Sequence, residues 1–361
     1  MKRYFLIIAG LLFSISLFSQ TKWYNPFDTD FLCVQGRAWQ DENKGNYHRL
    51  PPRAEENVRD AVWNLSKQSA GLSLSFTTNS NAIIVRYTVK NYLSMPHMPS
   101  TGVSGVDLYI NDDSKQQLWC EGKYNFGDTI TYRYNNITYK SKSGGDNNFQ
   151  LFLPLYNEVD WLEVGVNDGS FFTFNRIPSQ KPVVIYGTSI AQGACASRPG
   201  MAWTNIVQRL SHVPVINLGF SGNGRLEPEL FELLTEIDAA LFIIDCMPNM
   251  TGNAEDIVKN TLNGVEALRS KSDVPILLVE HCGYNGAAVS DKRRREYEKT
   301  NRELESAYQS LRKGGVKNIH YLSYKEISLS PDSQVDGVHA TDLGMQQYAD
   351  AYVKKINSIL K

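Results

Sequence analysis

The chain has 361 residues, and its 37 basic and 38 acidic side chains give a formal net charge of −1 at pH 7. This balance produces no field that would gather nucleic acid or anionic lipid, so a neutral or weakly charged substrate is the default expectation. The length favours two domains, and the 42% of hydrophobic residues are typical of a globular protein. The oligomeric state stays open.

The first twenty residues resemble an export signal. Lys2 and Arg3 precede an apolar run from Phe5 to Phe18, and Ser19-Gln20 provides a cleavage zone before polar residues. A membrane anchor is the alternative, but the apolar run is short for a full span. We therefore expect cleavage of residues 1–20, no stable membrane insertion, and a mature protein that is periplasmic or extracellular.

The strongest pattern in the first half has a period of two. Apolar and polar residues alternate in Leu72–Phe76 and Ile83–Val89, and Trp161–Val166 behaves similarly. Clusters of Asn, Asp, Gly and Ser separate these short segments. The pattern predicts an all-β, jelly-roll-like sandwich over residues 21–178, with no helical pattern of comparable strength.

Two prolines in Ile177–Pro182 mark a linker, after which short apolar runs alternate with amphipathic segments. This alternation predicts an α/β domain over residues 179–361, with a parallel sheet covered by helices on both faces. The predicted strands are 183–186, 213–218, 240–244, 274–279 and 319–322. The predicted helices are 202–210, 228–234, 254–268, 291–311 and 342–360.

The residues after these strands supply a set of chemical groups suited to acyl transfer. In parallel α/β sheets the carboxyl ends of the strands meet at one edge, where ligands bind. The segments that follow the strands are Gly187–Gly193, Asn217–Gly224, Asp245–Met250, Glu280-His281 and Asp336–His339. They bring a hydroxyl, flexible backbone donors, an amide and an Asp/His pair to this edge.

Those groups have clear roles in nucleophilic catalysis. Ser189 is the candidate nucleophile, and His339 is the base that removes its proton. Asp336 would orient His339 and stabilise its imidazolium form. Backbone N–H groups of Ser189 and Gly222, with the Asn249 side chain, are the candidate oxyanion donors. Taken singly these residues could be a helix cap or turn residues, but their order and placement favour catalysis.

These residues resemble the blocks of the SGNH or GDSL hydrolases, serine esterases with a flavodoxin-like three-layer fold. Gly187-Thr188-Ser189 matches the first block, Gly222 the second and Asn249 the third, while Asp336-Gly-Val-His339 matches the Asp-x-x-His block. The resemblance covers about residues 180–361. Thr188 and Met250 stand where the family usually has Asp, which makes the lipase-like members a poorer comparison.

The first half is also similar to a known pattern. Gly105-Val-Asp-Leu-Tyr109 resembles the Gly-x-Asp-Leu-Tyr signature of β-domains that precede such hydrolases. A β-sandwich followed by an SGNH domain is similar to carbohydrate deacetylases, so the resemblance implies hydrolysis of acetyl esters on a carbohydrate. The alternatives are an esterase or thioesterase of lipid, acyl-CoA or peptidoglycan, and a catalytically silent carbohydrate-binding protein.

Other polar residues are weaker candidates. Glu280 and His281 follow a strand at the catalytic edge and could line the substrate pocket, while Arg198 and Arg225 could shape its mouth. The chain has no H-E-x-x-H, P-loop or dinucleotide-binding glycine motif, so we expect neither cofactor nor metal. Three histidines without motif context are expected at the surface or in packing, and these are His48, His97 and His212.

The five cysteines allow at most two disulfides within the chain. Buried free thiols are the first expectation, and a Cys33–Cys120 bridge is the alternative. The remaining three are Cys195, Cys246 and Cys282.

Overall fold

The structure is a computed structural model that describes residues 20–361, except residues 113, 115, 142 and 143. The predicted export signal, apart from Gln20, thus lies outside the described residues. Within the described part of the chain, no helix combines the length and the hydropathy needed to span a bilayer.

Two antiparallel sheets form a β-sandwich in the first half, as the alternating pattern predicts. One sheet has the strand order β1-β10-β4-β8-β7, and the other has the order β11-β3-β9-β5-β6, with β2 paired to β3. The strands are β1 Thr21–Tyr24, β2 Val34–Gln35, β3 Ser73–Thr78, β4 Ile83–Val89, β5 Asp107–Asn111, β6 Gln117–Cys120, β7 Lys123–Asn125, β8 Ile130–Tyr134, β9 Asn147–Phe152, β10 Val159–Asn167 and β11 Phe172–Phe174.

The sandwich core is formed by the inward-facing residues of both sheets. Ile83, Val85 and Tyr87 alternate with more exposed residues along β4, as a strand with one buried face requires. Across the core they belong to one cluster with Phe76 and Phe149, whose rings stack with centroids 5.4 Å apart. The hydrophobic interior between the sheets therefore accounts for the period of two in the sequence.

The first half also contains two short helices that the sequence pattern did not predict, α1 Asp60–Ser66 and α2 Ser100–Val103. Helix α1 packs against the second half. Its residues Val62 and Trp63, together with Trp39 from an earlier loop, share a hydrophobic cluster with residues of the parallel sheet. Tertiary burial of these apolar side chains compensates for a helix too short to be stable alone.

The second half is a three-layer α/β/α structure around a parallel five-stranded sheet. Its order, β13-β12-β14-β15-β16, corresponds to 2-1-3-4-5 in chain order, which is the flavodoxin-like arrangement. The strands are β12 Val183–Gly187, β13 Val215–Gly219, β14 Leu241–Asp245, β15 Ile276–Val279 and β16 Ile319–Leu322. The helices are α3 Ser189–Gln192, α4 Trp203–Ser211, α5 Pro228–Leu234, α6 Ile257–Arg269, α7 Asp291–Lys313, α8 Tyr324–Ile327 and α9 Asp342–Ile359.

Helices cover both faces of this sheet. Val184 and Tyr186 of β12 pack in one cluster with residues of α5, α6 and α7, whereas Val183 and Ile185 pack with residues of α3, α4 and α9. Each strand is therefore buried on both sides, which explains why the strands are continuous apolar runs in the sequence.

All five cysteines are free, so the alternative of a Cys33–Cys120 bridge is wrong. Cys33 precedes β2, which pairs with β3, and Cys120 ends β6 at the far edge of the same sheet. Strands β9 and β5 lie between β3 and β6. At about 4.8 Å per strand this separation exceeds the roughly 7 Å between Cα atoms that a disulfide can span.

Candidate active site

Ser189 lies at the carboxyl end of the first parallel strand, on a tight strand-to-helix turn. β12 ends at Gly187, and the Thr188 side chain caps α3 by accepting a hydrogen bond from the Ile190 N–H. A Cβ atom at Gly187 would lie 2.7 Å from the Ala191 Cβ, so a larger residue would push the turn apart. The turn thereby fixes Ser189, which is 6% exposed, at the sheet edge.

A continuous chain of hydrogen bonds joins Ser189, His339 and Asp336. The Ser189 Oγ atom lies 2.8 Å from His339 Nε2, and His339 Nδ1 lies 2.7 Å from Asp336 Oδ2. Because the Asp336 carboxylate can only accept, the proton of a neutral His339 belongs on Nδ1, and Nε2 accepts the Ser189 hydroxyl proton.

The Asp336 carboxylate is held in place by the backbone of its own loop. Its Oδ1 atom accepts from the N–H groups of Val338 (3.0 Å) and His339 (2.8 Å). Burial raises the pKa of this carboxyl, but the hydrogen bonds and charge of His339 outweigh burial, and the net pKa lies below the usual value. Gly337, with φ of 82°, allows the turn that places Asp336 and His339 on the same side.

The loops after β13 and β14 meet beside this chain. The side-chain amide of Asn249 fits its surroundings when its oxygen accepts from the N–H groups of Asn223 (2.9 Å) and Gly224 (3.1 Å). Gly222 has φ of 69°, and its carbonyl accepts from Arg225 Nε at 2.9 Å. Two of the three candidate oxyanion donors, Gly222 and Asn249, therefore lie in loops that are hydrogen-bonded to each other.

Both halves of the chain match models of known protein families. The model of the GDSL-like lipase/acylhydrolase family matches residues 180–357, and the model of the GxDLY N-terminus of SGNH hydrolase-type esterases matches residues 21–172. A GDSL-like lipase from Bacteroides ovatus ATCC 8483 is 31% identical, with 94% of this chain and 98% of that chain covered and a TM-score of 0.86. The chain belongs to the GDSL-like lipase/acylhydrolase family. It is accordingly a hydrolase that acts on ester bonds.

More distant solved structures share the fold of this GDSL-like hydrolase. The salicylyl-acyltransferase of a tetracycline biosynthetic pathway is 18% identical, with 94% and 97% of the two chains covered and a TM-score of 0.72. A family two carbohydrate esterase from Cellvibrio japonicus is 13% identical, with 94% and 98% covered and a TM-score of 0.59. No curated protein matches the sequence.

The two candidates after β15 are held by other parts of the GDSL-like domain. Glu280 accepts hydrogen bonds from the Tyr321 hydroxyl and the Tyr324 N–H, both at 2.7 Å. His281 is 1% exposed, its Nδ1 accepts from the Gly283 N–H at 2.9 Å, and burial lowers its pKa to about 3. These contacts position the loop, and a role of either residue in binding substrate stays a prediction.

Arg198 connects the hydrolase domain to the signature of the first half. Its Nη1 atom lies 2.6 Å from Asp107 Oδ2 and 2.7 Å from the Tyr109 hydroxyl. The same Asp107 oxygen accepts from the Gly200 N–H, and the other accepts from Trp119 Nε1, both at 2.8 Å. The Asp and Tyr of the GxDLY signature thus anchor the chain that follows α3.

The first half contacts the segments around Ser189 and His339 through residues that the sequence did not single out for function. Tyr156 donates from its hydroxyl to the Ser189 carbonyl at 3.3 Å. Arg49 is fully buried and donates to the carbonyls of Asn217 (3.1 Å) and Gly219 (2.7 Å) at the end of β13. The ring of His97 stacks on His339, with centroids 5.7 Å apart and an interplanar angle of 28°. No local motif marks these residues, because each contact joins distant parts of the chain.

Proposed function

We propose that the protein hydrolyses short acyl esters through an acyl-enzyme on Ser189. The observation that carries this proposal is the unbroken hydrogen-bonded chain from the Ser189 hydroxyl through His339 to Asp336, with both heavy-atom distances below 3 Å. A hydroxyl becomes an effective nucleophile when a positioned base takes its proton. The two hydrogen bonds of His339 support the role of base for this residue and that of orienting group for Asp336.

The reaction then proceeds in two halves. His339 Nε2 takes the proton of Ser189 as Oγ attacks the ester carbonyl, and the ionised Asp336 stabilises the imidazolium that forms. The imidazolium returns the proton to the departing alcohol, which leaves the acyl group on Ser189. His339 then takes a proton from water, which attacks the acyl-enzyme, and the imidazolium returns that proton to Ser189 Oγ as the acid leaves.

The negative charge that develops on the carbonyl oxygen needs donors that are already oriented. We assign this role to the N–H groups of Ser189 and Gly222 and to the Asn249 amide. The hydrogen bonds that Asn249 accepts from Asn223 and Gly224 fix the amide so that its NH₂ group is directed away from those donors. In other hydrolases the loss of one such donor costs about 10²–10³ in rate.

The substrate we propose is an acetyl ester on a carbohydrate, met by an exported enzyme. The solved structures of similar fold include carbohydrate esterases of family two, and the net charge of −1 suits a neutral substrate. Tyr92, a residue that is 93% exposed, lies in the same loop as His97 and offers an aromatic face for a sugar. The expectation that the protein is exported rests on the sequence of residues 1–20.

Two measurements test this function. Wild type and Ser189→Ala are compared on 4-nitrophenyl acetate, and loss of turnover in the variant is the expected result. Acetylated xylan, an acyl-CoA and a long-chain ester are then compared with the wild type. Turnover confined to acyl-CoA or long-chain esters would replace the carbohydrate substrate by one of those classes. Oligosaccharide binding without hydrolysis of any activated ester would favour a silent binding protein.

A further inference from the structure

Four side chains that could bind a metal, from three separate segments of the chain, meet at the proposed catalytic histidine. One ligand atom from each of these side chains lies within 4.8 Å of all the others. We call this group the His-Cys-Asp-His cluster, and its members are His97, Cys195, Asp336 and His339. His97 comes from the loop between β4 and α2, in the sandwich half, whereas Cys195 follows α3. Of these four residues, the proposed catalytic chain uses only Asp336 and His339. It does not explain why His97 and Cys195 lie beside them.

The ligand types in the cluster match one class of cation. Two imidazoles, one thiolate and one carboxylate are the ligands of borderline-soft divalent ions, and Zn²⁺ prefers four of them in a tetrahedron. Zinc–ligand bonds of 2.0–2.3 Å imply ligand atoms about 3.3–3.8 Å apart. The cluster would have to close by about 1 Å at its widest and open slightly where His339 and Asp336 now share a hydrogen bond.

The two additional ligands are able to make these small movements. Among the described residues, neither the His97 ring nor the Cys195 thiol has a hydrogen-bonding partner that would be lost. His97 is exposed and is carried by a small loop in which Met95 and Met98 exchange two backbone hydrogen bonds of 3.0 Å. The side chain of Asp336 is 38% exposed, so an ion can enter from solvent at this side.

The backbone directs Cys195 into the cluster by an unusual conformation. Its φ is 68°, which non-glycine residues seldom adopt, and the residue is 6% exposed. The Gly193 and Ala194 N–H groups both bond the Ser189 carbonyl, at 3.0 and 2.9 Å, and this turn brings the thiol next to Asp336. Such backbone strain is concentrated at functional sites.

We propose that the His-Cys-Asp-His cluster binds one thiophilic divalent cation of the Zn²⁺ type, and that its binding reversibly inhibits the esterase. A metal on Nε2 of His339 blocks the atom that accepts the Ser189 proton. A metal on Nδ1 leaves the proton of a neutral imidazole on Nε2, which then cannot accept another. Either arrangement removes the base. The inhibition rests on the proposed function, whereas the binding does not.

Cobalt(II) tests the binding without any assay of activity. Co²⁺ added to the metal-free full-length protein should give one equivalent of binding and a thiolate-to-cobalt charge-transfer absorption. Cys195→Ser should abolish this absorption, while Cys33→Ser, at a buried free thiol of the sandwich, should keep it. No absorption in the wild type, or the same absorption in Cys195→Ser, would overturn the site.

Zinc competition against a chromophoric chelator gives the affinity, and His97→Ala provides an independent variant at an exposed residue that does not endanger folding. Loss of this ligand should weaken Zn²⁺ binding by at least the 10–100-fold that typically follows the loss of a residue hydrogen-bonded to a metal ligand. Zn²⁺ should inhibit the wild type on 4-nitrophenyl acetate, and a chelator should restore turnover. The Zn²⁺ concentration for half inhibition should rise in His97→Ala and Cys195→Ser. One bound Zn²⁺ with unchanged turnover would overturn the inhibition, while an inactive wild type that passes the cobalt test would count against the proposed function only.

Discussion

Asp336→Asn is the substitution whose effect the structure predicts most specifically. Asparagine can keep the two backbone hydrogen bonds, since its Oδ1 can still accept from Val338 and His339. Its NH₂ group would however face His339 Nδ1, which now lies 2.7 Å from a carboxylate oxygen. Nδ1 would then accept a hydrogen bond from this group rather than donate one, so the proton of the neutral imidazole would lie on Nε2. The base would be lost although the loop keeps its shape.

The same change in an Asp-His-Ser triad of another fold lowers kcat by about 10⁴, which corresponds to about 5.5 kcal/mol of barrier. We expect a loss of this order in kcat on 4-nitrophenyl acetate, with little change in KM. Asp336→Ala should lose less, because the site is partly exposed and water can replace the carboxylate. Asp332→Asn, at an exposed residue of the same loop, is the control. A loss below about tenfold in Asp336→Asn would refute the role assigned to Asp336.

Two further predictions concern stability. Burial raises the pKa of Asp245, which accepts from the Tyr352 hydroxyl at 2.8 Å, from the usual 3.8 to about 7. The folded state therefore favours the neutral form of Asp245, which stabilises the fold fully below pH 4. The free energy of unfolding should fall by about 4 kcal/mol as the pH rises from 4 through 7. Asp245→Asn should remove this slope in urea unfolding measured from pH 4 to pH 8, and a slope equal to that of the wild type would contradict it. Arg198→Met leaves Asp107, which is 4% exposed, without its cation and should cost about 3 kcal/mol. Adding Asp107→Asn should recover part of that loss, and an additive double variant would contradict the coupling.

The fold could be predicted from the sequence because its main signals are local. The alternation in Ile83–Val89 and the apolar run of Val183–Tyr186 reflect one buried face and two buried faces, and the structure has both. The helix predicted at 228–234 has those bounds in the structure, and the one predicted at 291–311 extends to Lys313. The short helix α1 was missed, because it depends on burial against the second half rather than on its own periodicity.

The residues of the site also differ in whether the sequence alone predicts them. Parallel strands end at one edge, so Ser189, Asp336 and His339 could be expected together before any distance was known. His97 and Cys195 could not, because one comes from the other half of the chain and the other from a strained turn. The anchoring of Arg198 by the GxDLY signature is a similar case, since a pair 91 residues apart leaves no periodic pattern.

The central claim is that Ser189 becomes covalently acylated, and trapping tests it most directly. A 4-nitrophenyl phosphonate ester should inactivate the wild type with one label per chain, located on the Ser189 peptide by mass spectrometry. Ser189→Ala should take up no label and show no turnover, while Ser310→Ala, at an exposed serine of α7, should behave as the wild type. Turnover by Ser189→Ala, or a label on another residue that accounts for the loss of activity, would contradict the mechanism.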